Sequence, residues 1–190
     1  MAVEVAPRAT VAPYRFTVDQ YERMAEIGIL TEDDHVELIE GEIIQMAAIG
    51  GNHRGCVNTL NALLVPPLIG IATVSIQSPV RLSSNSEPEP DVVVQRLDLP
   101  RSVIPGPDDV LLLIEVADSS RLYDHTRKMP LYARNGIVEA WLVDLVAGTI
   151  ARHTEPTEEG YRQVTLHRRG DVISPAALPF LRLDVSEVLG

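Results

Sequence analysis

An apolar run, Val110-Leu111-Leu112-Leu113-Ile114-Glu115-Val116, sets the strongest limit on what this chain can fold into. It lacks the polar and apolar alternation of a strand with one solvent-facing side, and it is typical of a strand covered on both faces. The run therefore predicts a central strand of a sheet. Glu115 lies inside it, and a carboxylate there is costly to bury unless it is paired or bound to a metal.

Shorter patterns predict helices and further strands around this central strand. Thr17 and Gln20 form a capping box that begins a helix, and Gly28 is a suitable residue to end it. Glu40-Gly41 between two apolar runs indicates a tight hairpin. The other predictions are a helix from Gly50-Gly51 to Pro66-Pro67, a helix over 123–135 that conflicts with Pro130, and strands over 72–82, 91–95, 139–144, 149–152, 161–166 and 180–185.

Length and composition predict one domain. A chain of 190 residues with 45% hydrophobic content is long enough for one core and short for two. We expect a loose arm over residues 1–13 and a single domain over 14–190. The single Cys56 excludes an intrachain disulfide. No apolar run reaches the length of a membrane span and no signal peptide is recognisable, so we expect a cytoplasmic protein with no membrane contact.

The charge restricts the way in which nucleic acid can be bound. A net charge of −11 argues against broad nonspecific binding, which depends on neutralising phosphates with cations. Basic residues are nevertheless concentrated in the stretch 121–134, around Lys128. Any contact with nucleic acid is therefore expected to be local and assisted by a metal ion.

Lys128 is the only lysine, since the other basic residues among the 16 are all arginine. Lysine is a compact ammonium whose pKa shifts on burial, whereas arginine is a planar, permanently charged fork. A single lysine in such a background indicates a position where arginine does not serve, unless codon bias removed the others by chance. Together with Asp91 and Glu115, Lys128 provides the groups that a metal-dependent phosphodiesterase needs.

Each candidate also has a structural interpretation. Asp91 follows Pro90, and an aspartate there is also explained as part of a turn. Glu115 is also explained as one half of a buried ion pair. Glu37 is equally interpretable as an ordinary exposed hairpin acid. His53, near a helix start, is more often structural in proteins than functional.

Several motifs in order resemble the Uma-two family of restriction-endonuclease-like proteins, a branch of the PD-(D/E)XK nuclease superfamily. They are Glu37-Leu38-Ile39-Glu40-Gly41-Glu42-Ile43, His53, Pro90-Asp91-Val92, Ile114-Glu115-Val116, Asp124-x-x-x-Lys128-x-x-x-Tyr132 and the run from Asn135 to Asp144. The resemblance covers roughly residues 14 to 189, and the order and spacing of the motifs are more specific than any one of them.

The resemblance implies an α/β (α+β) fold with a restriction-endonuclease-like core, a mixed β-sheet flanked by helices. It also implies a site of Asp91, Glu115 and Lys128, joined by Glu37 from the N-terminal part. The superfamily usually places the lysine two residues after the second acid, where this chain has Ala117. The family moves that lysine onto the following helix, and Lys128 fits the moved position.

The chemistry of phosphodiester hydrolysis gives these residues roles. Mg²⁺, for which Mn²⁺ substitutes, prefers carboxylate oxygens, so Asp91 and Glu115 are predicted metal ligands. The carbonyl of Val116 and the carboxylate of Glu37 are further candidate ligands. Lys128 is expected to orient or deprotonate the attacking water, or to hold the scissile phosphate. Candidate phosphate contacts are His53, Arg121 and Arg127.

The sequence therefore predicts an Mg²⁺-dependent endonuclease that acts on DNA. Two alternatives stay open: a nuclease fold that has lost activity and binds proteins, and a small metal-dependent phosphodiesterase that acts on nucleotides. A homodimer is expected by analogy with nucleases that cut both strands.

Overall fold

The computed structural model describes residues 12–118 and 121–190, without the side chains of Glu32 and Arg121. Residues 1–11 of the predicted arm and Ser119-Ser120 lie outside this part of the chain. The described elements are α1 (Val18–Glu26), β1 (Val36–Ile39), β2 (Glu42–Gln45), α2 (Gly51–Leu68), β3 (Ala72–Ile76), β4 (Val92–Arg96), β5 (Val110–Ala117), α3 (Arg121–Tyr123), a π-helical turn (Asp124–Lys128), α4 (Met129–Arg134), β6 (Glu139–Asp144), β7 (Thr149–Thr157), β8 (Gly160–Arg168), β9 (Val172–Ile173), β10 (Leu183–Asp184) and α5 (Val185–Leu189).

The largest sheet has six strands in the order β3-β4-β5-β6-β7-β8. The β5–β6 pair is parallel, and the other neighbours are antiparallel. Strand β5 matches the predicted range and is buried along nearly its whole length. The mixed sheet flanked by helices confirms the predicted fold class.

Two apolar layers cover the sheet, one on each face. The first layer joins α2 and α5 to the sheet through residues such as Leu60, Leu64 and Val185, all fully buried. The second layer joins the β1–β2 hairpin and α4, and its largest side chain is Tyr132, also fully buried. The site described below lies on the side of this second layer, because the hairpin and the π-helical turn that precedes α4 both line it.

The hairpin turn at Glu40-Gly41 is present as predicted. Both residues have positive φ angles, 50° and 77°, which match the twist of a two-residue hairpin loop. Gly41 also lies against the chain before α1: a Cβ built on it would come within 2.7 Å of the Arg15 Cβ. Glycine is therefore required here both by conformation and by space.

Replacing Gly41 with alanine should lower the free energy of unfolding by about 2–4 kcal/mol, because a left-handed conformation costs about 1–2 kcal/mol and the clash adds to it. Chemical denaturation measures the loss. Gly28→Ala is the matched control, since Gly28 has a φ of 74° but open space around its Cβ position. Equal losses for the two variants would contradict the role given to the Arg15 contact.

Four predicted boundaries were wrong. The strand expected over 149–152 continues to Thr157. Helix α2 continues through Pro66-Pro67 to Leu68, because Leu64 and Leu68 are both buried and hold the last turn against the sheet. The strand expected over 72–82 ends at Ile76. Of the strand expected over 180–185, only Leu183–Asp184 pairs, with β9.

The conflict at Pro130 is resolved by the π-helical turn. Helical structure runs from Arg121 to Arg134, with the wider turn over Asp124–Lys128 and Pro130 in the first turn of α4. A wide turn just before a proline accommodates its missing N–H and its ring. Such turns are rare and recur at functional sites, and this one places Asp124 and Lys128, both buried, on the side of the candidate site.

No helix in the described part of the chain is both long enough and apolar enough to span a bilayer.

Candidate functional site

A cavity of about 780 Å³ lies between the β1–β2 hairpin with its following loop, the start of α2, and the ends of β4 and β5. Apolar side chains from Ile44 to Ile49 form one wall. The acidic lining residues are Glu37, Glu89, Asp91, Glu115, Asp118 and Asp124. The predicted residues Glu37, Asp91, Glu115, Lys128 and His53 thus all meet in one cavity.

Lys128 is almost fully enclosed, with only 6% of its surface exposed. Its ammonium lies 3.0 Å from the Glu37 Oε2 and 3.2 Å from the Glu115 Oε1. Burial by itself would lower the pKa of this ammonium, but the two carboxylates outweigh burial and raise the pKa well above its ordinary value. Lys128 is therefore held in its charged form.

Glu115 lies near the end of the central strand, and 3% of its surface is exposed. Burial raises the pKa of this carboxyl to about 8, against the opposing effect of Lys128. The nearby charge of Asp91 adds to the increase. The phenol of Tyr132, one helical turn beyond Lys128, donates to the Glu115 Oε1 at 2.5 Å and fixes its position.

Asp91 stands directly before β4. Because Val92 pairs with Ile114 in the antiparallel register, Asp91 is the neighbour of Glu115 across the two strands. Its Oδ2 accepts a hydrogen bond of 2.8 Å from the backbone N–H of Val116. The two carboxylates line the same cavity and do not lie on opposite faces of the sheet.

His53, in the first turn of α2, is held by Asp91. Its Nε2 lies 3.0 Å from Oδ1 and 3.1 Å from Oδ2 of that carboxylate, and the hydrogen bond raises the pKa of the imidazole. Its Nδ1 is buried without a hydrogen-bond partner among the described residues. His53 is thus fixed on one side, and its other ring nitrogen is enclosed without a partner among the described residues.

Glu37 is a buried residue and not the exposed hairpin acid that the sequence left possible. Only 1% of its surface is exposed. Besides Lys128, it accepts a hydrogen bond of 3.3 Å from the backbone N–H of Glu89. Burial raises the pKa of Glu89, and the charge of Glu37 adds to this increase.

The charges around the cavity favour an additional cation. The cavity lining includes six acidic side chains, whereas Lys128 is its only lysine, and no arginine is among the described lining residues. The carboxylates raise the pKa of Lys128 against the effect of burial, and the charges of Asp91, Asp124 and Glu37 add to burial in raising the pKa of Glu115, so the acidic side chains favour positive charge here.

A divalent ion fits this site as a partly hydrated ion. No three of the described acidic, histidine or cysteine side chains lie close enough to enclose a metal by themselves. Mg²⁺ is usually held by one or two carboxylates and keeps several waters. Asp91 and Glu115, neighbours in one acidic cavity, match this donor set, and Glu37 lies next to them. The carbonyl of Val116 stays a predicted ligand.

Arg127 and Arg134, two of the basic residues in the stretch 121–134, do not line the cavity. Arg127 is exposed, and its Nη2 lies 3.3 Å from Glu40 and 3.6 Å from Glu42. Arg134 pairs with Glu40 at 2.8 Å. These arginines therefore attach α4 to the hairpin. The side chain of Arg121 lies outside the described part, so its phosphate contact stays a prediction.

Three residues at or beside the cavity were not singled out as functional in the sequence. In the sequence Tyr132 was only one position of a family motif, but its phenol donates a hydrogen bond to Glu115. Glu89 has a signal in the sequence, because Glu87, Glu89 and Asp91 occupy alternate positions and so face the same way in an extended chain. Tyr123, which directly precedes the π-helical turn, has a buried hydroxyl with no hydrogen-bond partner among the described residues.

Comparisons with known proteins agree with this geometry. A crystal structure described as a "putative nuclease belonging to DUF820", from Anabaena variabilis, is similar with a TM-score of 0.65 and 16% sequence identity, covering 92% of this chain and 97% of that one. At this identity the similarity shows the fold alone. A search of curated proteins found no match. A family model described as "Uma2: Putative restriction endonuclease" matches residues 18–186. The match spans most of the chain and confirms the resemblance seen in the sequence, so this protein belongs to the Uma2 family.

Proposed function

We propose that this protein is an Mg²⁺-dependent endonuclease that hydrolyses phosphodiester bonds in DNA. The observation that carries the proposal is the buried ammonium of Lys128, held by Glu37 and Glu115 in a cavity that Asp91 also lines. Acids from two neighbouring strands and one lysine are the groups that metal-assisted phosphodiester hydrolysis uses. Membership of the Uma2 family supports the same class of reaction.

The metal would be held by Asp91 and Glu115, with the Val116 carbonyl and Glu37 as further ligands. When bound, Mg²⁺ would lower the pKa of a coordinated water and neutralise charge on the phosphate. Mn²⁺ would substitute, because it takes the same oxygen ligands. The excess of acidic side chains in the lining supports this assignment.

The chain's own residues would position the reacting groups. Tyr132 fixes one oxygen of Glu115 through its hydrogen bond. His53 fixes Asp91, and its predicted contact with the substrate phosphate would require its buried Nδ1 to become accessible. The ammonium of Lys128 would hold the attacking water or the scissile phosphate, as a charged group in a largely enclosed site is worth more than one in water.

Asp91→Asn should abolish both Mn²⁺ binding and DNA cleavage. The amide keeps the shape and still accepts a hydrogen bond from Val116, but it removes the negative charge that a divalent ion needs. We expect at least a hundredfold loss of cleavage, the scale of losing a main catalytic group. Titration calorimetry with Mn²⁺ and cleavage of supercoiled plasmid with Mg²⁺ or Mn²⁺ measure the two effects.

The matched control is Asp98→Asn, because Asp98 is exposed, pairs with Arg96 and lies outside the cavity. It should bind metal and cleave like the wild type. If the wild type cleaves no DNA with any divalent metal, the endonuclease proposal is wrong. If Asp91→Asn cleaves normally, Asp91 has no part in the mechanism.

A small metal-dependent nucleotide phosphodiesterase is the second candidate. The cavity volume lies in the range typical of small-molecule sites, and the lining has no described arginine to guide a long polyanion. Hydrolysis of a nucleotide phosphodiester without plasmid cleavage would favour this candidate. Metal binding without either activity would favour a nuclease fold that acts through protein contacts. A cytoplasmic location belongs to the main proposal, since DNA is accessible there.

A further inference from the structure

The outer edge of β8 is an open strand edge. Strand β8 is the last strand of the six-stranded sheet, and in the described part of the chain no strand other than β7 pairs with it. It is nine residues long, contains no proline, and pairs with β7 without a register shift. Natural edge strands are usually short or protected by prolines and bulges, since an open edge recruits another strand.

The side chains of β8 are exposed on both faces. Residues 162–166 are all exposed, and the central Val164 and the nearby Leu166 have exposed fractions of 51% and 60%. Two apolar side chains two residues apart share one face of a strand. An open backbone edge combined with exposed apolar side chains is suited to strand addition.

The charges at the two ends of β8 identify the partner. Glu158 and Glu159 stand in the turn before the strand, whereas Arg168 and Arg169 stand at its end. All four are exposed, and Arg169 donates to the carbonyl of Leu189 at 3.3 Å, which holds it beside the end of the strand. An antiparallel copy of the same strand would place the acidic end of each chain against the basic end of the other.

One register of this antiparallel pairing is favoured over the neighbouring registers. With Val164 opposite the same residue of a second copy, Gln163 would face Thr165, Arg162 would face Leu166, and Glu159 would face Arg169. A register centred on Thr165 would place Arg162 opposite Arg168, and like charges directly opposite are destabilising. A register centred on Gln163 would place Val164 opposite Arg162 and Leu166 opposite Gly160, and the apolar contact between the two Val164 side chains would be lost. The Val164-centred pairing is therefore favoured.

We propose that two copies of this chain form a homodimer by antiparallel pairing of their β8 strands, centred on Val164. The two six-stranded sheets then form one continuous sheet. The paired strands are about 30 Å long at about 3.3 Å per residue. Main-chain hydrogen bonds, the Val164 contact and the two Glu159–Arg169 pairs hold the dimer together. The inference is independent of the catalytic proposal.

Charge reversal tests the register. Glu159→Arg places arginine opposite Arg169 twice in the dimer, and Arg169→Glu places glutamate opposite Glu159 twice. Each variant alone should dissociate at least about tenfold more readily than the wild type, because like charges across an interface are strongly unfavourable. An equimolar mixture of the two should form a heterodimer, and the double variant should regain the wild-type affinity. Sedimentation equilibrium measures the dissociation of the dimer for the two single variants, for their mixture and for the double variant.

Val164→Lys gives a second test. Val164 is exposed in the monomer, so its replacement should leave the thermal unfolding temperature nearly unchanged while the dimer is lost, since lysine on an edge strand opposes pairing. A wild type that stays monomeric at all concentrations overturns the proposal. A wild-type dimer unaffected by Val164→Lys, or a charge-reversed pair that does not associate when mixed, also overturns it, because the dimer would then use another surface.

Discussion

Replacing Lys128 with arginine should reduce Mg²⁺-dependent DNA cleavage by about a hundredfold or more, the scale of losing a positioned acid–base or charge-stabilising group. The substitution keeps the positive charge, so Glu37 and Glu115 retain a counterion. It removes the compact ammonium that lies 3.0 Å from one carboxylate and 3.2 Å from the other. A guanidinium is larger and directs its donors along a fixed plane, so it cannot take the position of the ammonium between the two carboxylates.

The protein offers a matched control one residue away. Arg127→Lys makes the reverse exchange at an exposed position, where the side chain contacts Glu40 and Glu42. Surface ion pairs of this kind contribute little, so this variant should cleave like the wild type. The measurement is the rate of plasmid cleavage by Lys128→Arg and by Arg127→Lys, from preparations matched for folded protein. Equal activity of Lys128→Arg and the wild type would remove Lys128 from the mechanism.

Burial makes a stability cost part of the same prediction. Lys128 is only 6% exposed, so the larger arginine side chain must be accommodated in a packed site. Inserting a larger group into a packed site typically costs about 1–3 kcal/mol. If the free energy of unfolding falls by an amount in this range and Mn²⁺ binding is retained, the loss of cleavage is due to the missing ammonium and not to a general collapse of the site.

The sequence predicted the central part of the fold well because local patterns and burial agree there. The continuous apolar run gave β5 its correct bounds, and the Glu40-Gly41 turn was recognised because its backbone favours glycine. The prolines in α2 misled the prediction, since buried Leu64 and Leu68 outweighed the local preference against helix. Tertiary contacts of this kind have no signal in a short window of sequence.

For the site, residue types were more predictable than their environments. Asp91, Glu115 and Lys128 were identified by their chemistry and by family motifs, and the structure brings them into one cavity. The burial of Glu37 depends on the hairpin folding over the ends of β4 and β5, which no local pattern reveals. The π-helical turn carries Asp124 and Lys128, and the sequence signalled only that Pro130 was incompatible with a regular helix.

Glu139 shows why a buried acid alone does not identify a functional site. Like Glu115 it lies in a central strand, and its surface is only 2% exposed. Its carboxylate accepts hydrogen bonds from the Trp141 indole at 2.7 Å, from the Arg152 Nε at 2.7 Å and from the backbone N–H of Ala176 at 2.7 Å. Every oxygen has a protein partner, and Glu139 does not line the cavity. Its role is therefore structural.

Glu139→Gln should lower the free energy of unfolding by about 3–5 kcal/mol, the usual cost of removing one partner from a buried charged pair. The amide nitrogen of glutamine is a hydrogen-bond donor and would face the N–H donors that Glu139 now accepts from. Arg152 would also lose its counterion. Chemical denaturation measures the loss, with Glu42→Gln as the control, because Glu42 is a partly exposed partner of Arg15 and should change stability by less than about 1 kcal/mol. Mn²⁺ affinity and cleavage per folded molecule should stay at wild-type values. A stable Glu139→Gln variant that loses metal binding would contradict the distinction between the two buried acids, because Glu139 would then act on the site.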